Sequence, residues 1–355
     1  MTDVLIAGSG PTGLTLACDL ARRGIGVRVV EGRRAPHRAS RGKGLNPASL
    51  ETFEALGAAG RMTAVGRREI VLRKYFDGAY ISDTAVADGL LIGQWQVEEA
   101  LRERLAELGV RVEYGAGLAS LAQDAGGVGV ELSDGTVIRA RYLAACDGGR
   151  STIRRLLAIP FEGYTEPEQA MVLGDVRAPG LSRDFWHQWY TSDSGGILLC
   201  PMPGTDTFQL QASPEPDGRG EFLPPSEEGF QRLFDRHARM PGIRLSGAGW
   251  LSFWRVNVRM ADRMREGRVF LAGDAAHVHP IAGGLGMNTG VQDAAALART
   301  LAAALTGPAG DEVLDGYEAE RLPAAAAVLA DTAQRYERVR AAVRTPGRGT
   351  EAGRR

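Results

Sequence analysis

Residues 269–290 read VFLAGDAAHVHPIAGGLGMNTG. Val269 to Ala272 is a continuous apolar run that predicts a buried strand, and Gly273-Asp274 predicts a sharp turn at its end. Gly283, Gly284 and Gly286 then form a loop feeding a helix that starts near Met287 or Asn288. A carboxylate at a strand end accepts hydrogen bonds from hydroxyls. Glycines let backbone come close to a ligand, and a helix start presents free N–H groups to negative charge. The combination suits a polar, partly anionic ligand. By itself it also fits a tight turn and a capped helix, so its meaning depends on what accompanies it.

Two other stretches do. Asp3–Gly8, DVLIAG, predicts a strand, and Gly8, Gly10 and Gly13 follow in G-x-G-x-x-G spacing. Leu14 to Arg23 predicts a helix, and Gly26–Val30 a second strand ending at the acid Glu31. Strand, glycine turn, helix, strand and acid make a unit of about 30 residues that binds dinucleotides. The first glycine makes the turn, the second admits a pyrophosphate, the third lets helix pack on strand, and the acid accepts from a ribose hydroxyl. The third stretch is Asp147–Arg155: a strand at Tyr142–Cys146 runs into Asp147-Gly148-Gly149-Arg150-Ser151 and a short helix through Leu157. Ser151 suits a helix N-cap, and Arg150 suits a phosphate or carboxylate.

Between these stretches the chain punctuates clearly. Arg33, Arg34, Arg38 and Arg41 line a Gly- and Pro-containing segment beside the first strand pair, and Pro47–Leu56 predicts an amphipathic helix closed by Gly57. Ile70–Ala87 predicts two strands about Asp77-Gly78, and Gln94–Leu108 a helix. Val110–Tyr114, Gly117–Gln123, Val128–Leu132 and Thr136–Ala140 predict an inserted β meander with a turn at Asp134-Gly135. Phe161–Ala212 is aromatic and strand-like; alternation puts Trp186, Gln188 and Tyr190 on one face and His187 and Trp189 on the other. Ser213–Pro225 reads as a loop, Glu227–Arg239 as a helix and Gly249–Arg259 as a strand. Gly290–Leu305 and Asp311–Arg340 read as helices, the second kinked or broken at Pro323, and 345–355 as a disordered tail.

Composition narrows the function. The chain has 355 residues, 44% hydrophobic, enough for a sizeable core and two domains or one interwoven one. Lys plus Arg is 42 against 43 Asp plus Glu, a balance that calls for neither nucleic acid nor an anionic membrane. Cys18, Cys146 and Cys200 are odd in number and widely spaced, which argues against a disulfide framework or zinc site and for a reducing cytoplasm. His277 and His279 lack a nearby third ligand, so no metal is expected. No apolar run reaches the ~18–20 residues that span a bilayer, and the strand at Asp3-Val4 leaves no room for a leader.

GSGPTG (Gly8–Gly13), CDGGRSTIRRLL (Cys146–Leu157) and FLAGDAAHVHPIAGGLGMNTGVQDA (Phe270–Ala294), in that order and spacing, resemble the class A, single-component FAD-dependent aromatic monooxygenases of the p-hydroxybenzoate hydroxylase group. The resemblance is greatest to bacterial aromatic-polyketide hydroxylases. Arg41-Gly-Lys-Gly-Leu-Asn-Pro, Gly93-Gln94 and Tyr317-Glu-Ala-Glu-Arg-Leu-Pro323 support it, over about Asp3 to Ala330. It implies an α/β fold: a Rossmann-like, glutathione-reductase-type FAD-binding domain with an interwoven β-sheet substrate domain and C-terminal helices. On that reading 1–160 and 261–305 form the FAD-binding domain, with a β insertion near 70–90. Residues 161–260 form the substrate sheet, and 306–344 the C-terminal helices.

The resemblance also implies residue roles. Gly8, Gly10, Pro11, Thr12 and Gly13 would hold the FAD pyrophosphate with Arg41, and Glu31, Gly32 and Arg33 the adenosine ribose side. Gln94 would lie along the ribityl chain or flavin edge, and Gly273 and Asp274 at the ribityl hydroxyls. Asp147, Gly148 and Arg150 would serve FAD and NADPH. Pro280, Gly283, Gly284, Gly286, Met287 and Asn288 would line the flavin ring, the first three nearest the chemistry. Trp186, Gln188 and Tyr190 are the candidate substrate contacts; no acid or base is assigned, although Tyr190 or His187 could serve a phenol. The implied reaction uses NADPH or NADH as transient donor and O2 as co-substrate, and inserts one oxygen atom into an aromatic, polycyclic phenol or polyketide-derived substrate. Baeyer–Villiger-type oxygenation and a turnover-deficient FAD-binding accessory protein are the alternatives. The expected partners are a small aromatic molecule and, at most, a second copy in a homodimer.

Three positions depart from the family pattern: Ile281 for a second proline, Leu285 for a glutamine, and Arg299-Thr300 for Trp-Lys. A C-terminal thioredoxin-like domain, present in many polyketide hydroxylases, is not expected here.

Overall fold

The computed structural model describes residues 1–86, 88–193, 195–279, 284–307 and 311–344. The expectations for Pro280, Ile281, Gly283 and the tail 345–355 lie outside these residues. The chain divides into two compact units. The first holds Met1–Val65, Ile92–Tyr164 and Asn257–Thr332; the second holds Gly66–Leu91 and Thr165–Val256, with the chain from Ala333 on.

In the first unit, the near-continuous apolar runs VLIA, RVVE, YLAA and VFL become strands of one sheet. Its order is Arg265–Glu266, Val269–Leu271, Val137–Ala145, Thr2–Ala7, Val27–Glu31 and Val112–Tyr114. The four central strands run parallel, and Val4, Leu5, Ile6, Val29, Leu143, Ala144, Val269 and Phe270 are fully buried. A parallel sheet covered on both faces needs such all-apolar strands. Helix Pro11–Arg22 carries Leu14, Leu16, Ala17 and Leu20 into that core, and helix Gly286–Thr306 carries Val291, Leu297 and Leu301.

The register decides where the motifs go. Ala7 lies beside Val30 and Ala145, and Ala145 beside Leu271. All four strands therefore end at one edge. Gly8, Glu31, Asp147 and Gly273 emerge there together, at the carboxyl ends where open α/β sheets bind ligands.

Several boundaries differ from the sequence reading. Thr136–Ala140 and Tyr142–Cys146 are one strand, Val137–Ala145; its outer half pairs with Gly127–Leu132 and its inner half with Thr2–Ala7. Val112–Tyr114 belongs to the parallel sheet, beside Val27–Glu31, and is no part of a meander. The helix Gly286–Thr306 begins one residue before the Met287 start read from the glycine loop and four before Gly290, and Ala59–Val65 is a helix that the hydrophobic pattern does not announce. Asp311–Arg344 is one helix that continues through Pro323. The turns before the proline are anchored by side chains: the Tyr317 hydroxyl donates to the Leu271 carbonyl at 2.8 Å, and Arg321 pairs with Asp293. Tertiary contacts of this kind offset the hydrogen bond that a helical proline forfeits.

The second unit is built on an antiparallel-rich sheet in which Phe161–Arg177, Phe208–Ala212, Gly196–Pro201, Phe185–Tyr190, Ile70–Phe76 and Ala79–Val86 are successive neighbours. The hairpin 70–86 turns at Asp77 and Gly78, whose φ angles of 48° and 86° are the left-handed pair a two-residue hairpin turn needs. The sequence places the insertion near 70–90 within the FAD-binding domain. Instead Ile70–Phe76 runs parallel to Phe185–Tyr190, with Val71 opposite Phe185 and Phe76 opposite Tyr190, and 66–91 belongs to the second unit. Hydrophobic alternation puts both segments on strands but does not name their partner.

One face of this sheet packs on helix Glu227–Ala238, which Ser226 caps through its hydroxyl. Trp189, Ile197, Leu199, Phe208 and Leu210 meet Phe230, Leu233 and Phe234 in a single core. Tyr75, His187 and Trp189 stack in a row, with centroids 5.0–6.2 Å apart.

Candidate active site

The glycine turn comes first in the chain. A Cβ on Gly8 would overlap the Cys146 carbonyl, and one on Gly13 would overlap the Gly8 carbonyl, so these two glycines are demanded by packing. Gly10 is different: a Cβ there would meet nothing within 4 Å. It is the N-cap of helix Pro11–Arg22, which has no side-chain cap and no acidic residue in its first turn. The free N–H groups and positive end of that helix thus face open space. Pro11 stands at the first helical position, where no N–H is needed. Thr12 fits between Gly273 and Gly290; a Cβ on either would collide with its hydroxyl.

Glu31, at the end of its strand, is 9% exposed. Its carboxylate accepts from the Ser9 N–H at 3.0 Å, the Ser9 hydroxyl at 2.9 Å, and the backbone and guanidinium of Arg33 at 3.0–3.2 Å. Burial would raise its pKa, but the hydrogen bonds from Arg33 and Ser9 outweigh burial and hold the carboxyl down at about 2. Gly32 is exposed beside Gly117.

At the next strand end, Asp147 Oδ2 accepts from Thr152 and Ile153 N–H at 2.8 and 3.3 Å, and the Ser151 hydroxyl caps the same short helix at 3.0 Å. Asp147 Oδ1 is buried and has no hydrogen-bond partner among the described residues. Burial pushes the Asp147 carboxyl up, against the donors that favour its charge. Gly148 has φ 82°. Arg150 is exposed, and its carbonyl accepts from Arg155 at 3.4 Å.

Gly273–Ala275 forms a tight turn after strand Val269–Leu271, with Gly273 at φ 62°. Water reaches Asp274, yet protein crowds it on most sides. That loss of solvation pushes its carboxyl above the ordinary value, while His277, His279 and Arg41 pull it back.

A second cluster joins Arg41–Asn46, Gln94 and the start of helix Gly286–Thr306. Gln94 Oε1 accepts from Gly42 N–H at 3.3 Å, its backbone N–H donates to the Gly42 carbonyl at 2.9 Å, and its amide nitrogen donates to Glu98 at 2.8 Å. Asn288 accepts from Asn46 N–H at 2.9 Å and donates to the carbonyls of Gly44 and Gly284 at 3.2 and 3.0 Å. Met287 approaches Gly42, Gly286 approaches His279, and Gly284 lies against the Lys43 carbonyl. Arg41, at φ 40°, is exposed on this loop.

The structure therefore brings together Gly8–Gly13, Glu31, Arg33, Asp147, Gly148, Gly273 and Asp274, and, in the adjoining cluster, Arg41, Gln94, Gly284, Gly286, Met287 and Asn288. These residues fit FAD on physical grounds. An uncapped helix start faces the open space at Gly10, an orphaned buried oxygen waits on Asp147, and a reachable carboxylate stands on Asp274. Among the described residues no group of His, Cys, Asp and Glu could hold a metal ion. His277 Nε2 lies 2.7 Å from Asp293.

Four contributors carry no local sign of their role. Ser9 braces Glu31. Asp293, fully buried, binds Gly273 N–H, His277 and Arg321. Arg154 donates to the carbonyls of Ala275 and Gly149 at 2.8 and 3.0 Å, and its guanidinium lies 3.7 Å from the centre of the Phe161 ring. Ser9, Arg154, Asp293 and Arg321 all sit inside quoted motifs, so a signal exists, but nothing local says what they touch.

In the second unit Trp186, Gln188 and Tyr190 share a sheet face opposite the one that packs on Glu227–Ala238. The Tyr190 hydroxyl donates to Gln188 Oε1 at 3.2 Å, and burial pushes its pKa up. Register places Gln211 in the row of Gln188, and Gln209 in the row beside it; Gln211 Nε2 donates to Gln209 at 2.9 Å. His187 lies on the opposite face, stacked in the aromatic row, with Nε2 2.8 Å from the Ser182 carbonyl. It packs in the aromatic cluster, away from Trp186, Gln188 and Tyr190.

Comparison with known proteins agrees with this chemistry. The family model described as FAD binding domain matches residues 1–332. A flavin-dependent monooxygenase of Mycobacteroides abscessus is 39% identical over 348 residues, covering 92% of this chain and 72% of that one. A dialkyldecalin synthase of Streptomyces rugosporus is 36% identical over 342 residues, covering 93% and 71%. The solved structure of an aklavinone-11 hydroxylase with FAD and aklavinone superposes with a TM-score of 0.82 at 31% identity, over 95% of this chain and 69% of that one. With the glycine turn and the carboxylates of Glu31, Asp147 and Asp274 on one sheet edge, the chain belongs to the FAD-binding family of flavin-dependent aromatic monooxygenases.

Proposed function

We propose that this monooxygenase hydroxylates an oxygenated polycyclic aromatic molecule, a phenol or quinone of polyketide type. The observation that supports the substrate class is the sheet face bearing Trp186, Gln188, Tyr190, Gln209 and Gln211. Buried amides both donate and accept, which matches phenol and quinone oxygens, and the indole and phenol rings match a flat ring system. The aklavinone complex of a relative points the same way.

The proposed roles follow from position. Gly10 and the helix start behind it take the pyrophosphate, Glu31 takes the adenosine ribose, and Asp274 takes the ribityl hydroxyls. Gln94 and Asn288 hold the 41–46 loop and the start of the Gly286–Thr306 helix against each other, and with Gly284 and Met287 shape the place for the flavin ring. Pro280 and Gly283 are assigned to the same role by the family resemblance alone. Asp147 and Arg150 serve the nicotinamide donor. When bound, FAD supplies the redox chemistry: electrons from NAD(P)H, and activation of O2 for transfer of one atom to an aromatic ring. The protein positions the ring and excludes water. Tyr190, with its pKa raised, stays protonated; its O–H is held by Gln188, and its oxygen accepts from a substrate hydroxyl.

Anaerobic mixing of FAD-loaded protein with NADPH tests the reading. We expect the yellow absorbance to bleach faster in the presence of one member of a panel of polycyclic phenols, and aerobic turnover to add 16 mass units, about one oxygen atom, to that compound. No bleaching with NADPH, NADH or any phenol, together with a product of unchanged mass, would favour the second reading. That reading is an FAD-binding protein acting without oxygenation, and the named dialkyldecalin synthase among the relatives motivates it. A ring-expanded ester or lactone product would instead indicate Baeyer–Villiger chemistry.

A further inference from the structure

The segment Tyr317–Arg321 matches the family but takes no part in the roles above. Its side chains converge on the turn that presents Asp274. Arg321 Nε donates to Asp293 Oδ1 at 2.8 Å. Asp293 Oδ2 accepts from the Gly273 N–H at 3.0 Å and lies 2.7 Å from His277 Nε2. The Tyr317 hydroxyl donates to the carbonyl of Leu271, two residues earlier, and Glu318 accepts from the N–H groups of Met264 and Arg265 at 2.6 and 3.1 Å. Asp293 is fully buried, and the Arg321 side chain is 12% exposed.

An ionised carboxylate without solvent is costly unless every lone pair is engaged. Here the charge is matched by Arg321, and the remaining capacity goes to the Gly273 peptide and His277. On the other side of the turn Arg154 holds the Ala275 carbonyl. Asp274 thus sits between two peptide groups, each anchored by a buried side chain. Gly273, in the left-handed region, has no intrinsic preference that would hold it there.

We propose that Asp293, braced by Arg321, is the positioning residue for Asp274. It sets the Ala272–Gly273 peptide, at the start of the turn, so that the Asp274 carboxylate meets the ribityl hydroxyls of FAD. This rests on the reading of Asp274 as an FAD ligand. Removing the Asp293 charge frees the Gly273 N–H and lets the turn relax. A site held to within roughly 0.5 Å by its supporting shell loses affinity when that shell loosens.

The test is a double-mutant cycle on FAD affinity, read by flavin fluorescence on apoprotein, with the midpoint potential of the bound flavin as the second readout. We expect Asp274→Asn and Asp293→Asn each to weaken FAD binding about tenfold or more, and to shift the potential in the same direction. The double variant should be about as weak as Asp274→Asn alone, because coupled residues are non-additive. Asp293→Asn with wild-type affinity and potential overturns the proposal. So does a double variant whose loss is the product of the two single losses, the pattern of independent stability effects. Asp274→Asn with unchanged affinity removes the FAD-ligand reading itself and the proposal with it. If Asp293→Asn does not fold, Arg321→Gln takes its place in the cycle with the same expected pattern.

Discussion

The two units handle buried polar groups in opposite ways. In the first unit they hold backbone: Ser9 and Arg33 brace Glu31, Asn288 ties Asn46, Gly44 and Gly284, and Asp293 and Arg154 hold the 273–275 turn. In the second unit one sheet face carries the buried amides Gln188, Gln209 and Gln211 with Tyr190, Tyr190 bonding Gln188 and Gln211 bonding Gln209. Charged groups with many backbone partners suit a cofactor of constant shape. Neutral amides on a pleated surface suit a substrate and leave the fold to an aromatic core behind them. The difference predicts that substitutions in one unit change cofactor affinity and those in the other change substrate recognition.

The hardest test of that division uses one substitution in each unit. Gly13→Ala drives a methyl into the Gly8 carbonyl, so we expect a protein that neither retains FAD nor folds its first unit stably, as followed by FAD content and circular dichroism. Trp189→Ala removes a 1%-exposed ring from the second core and should cost roughly 3–5 kcal/mol in denaturant unfolding. FAD lost through Trp189→Ala in protein that is still folded would break the comparison.

A smaller effect separates packing glycines from the ligand glycine. A methyl at Gly10 meets nothing in the protein. Gly10→Ala should therefore leave apoprotein stability within about 1 kcal/mol, while fluorescence titration shows FAD affinity about tenfold lower or worse. Equal damage to apo and loaded protein would deny Gly10 a place against the pyrophosphate.

Smaller again is the substrate face. Gln188→Leu and Tyr190→Phe should raise KM for the aromatic substrate by roughly threefold to tenfold, the worth of one hydrogen bond, with FAD affinity unchanged. A change in FAD affinity without a change in KM would move both residues out of the substrate role.

The mildest prediction concerns pH. The Glu31 carboxyl is held at about 2, below the ~4.3 of an unfolded chain. A depressed carboxyl contributes stability that is fully present above the unfolded value and fades as pH falls through the folded one. Stability and FAD retention should thus be insensitive to Glu31 from pH 7 to about 5 and decline between about 4.3 and 2. Ser9→Ala should raise the folded value, so that the decline becomes smaller and ends at higher pH. An unmoved profile would mean that Ser9 does not hold the carboxylate.

Much of this is legible in the amino-acid sequence. The Gly8–Glu31 unit, the Asp147 strand end and the Gly273-Asp274 turn carry their geometry in local residue types, because only glycine tolerates those approaches. A period of two places Trp186, Gln188 and Tyr190 on one face. The structure also holds things that no local pattern states. The 70–86 hairpin reads as an insertion beside the cofactor fold, and only its register against Phe185–Tyr190 assigns it to the other sheet. Alternation puts His187 on the face away from Gln188, and only the structure shows which rings it stacks on there. Arg150 reads as a phosphate ligand from its motif, yet its side chain is exposed, whereas Arg154, one helical turn later, is buried and holds two loops.

The amino-acid sequence alone determined the elements of the cofactor fold, the strand ends that bear its carboxylates, and the family. Those depend on backbone freedom and hydrophobic period, which are properties of neighbours along the chain. Tertiary structure decided which side chains support them. Asp293 reaches Gly273 across 20 residues, Arg154 reaches Ala275 across 121, and Asn288 reaches Gly44 across 244. Such partners are chosen by strand order and register, and a buried charge or amide is satisfied by whatever group that packing brings within about 3 Å.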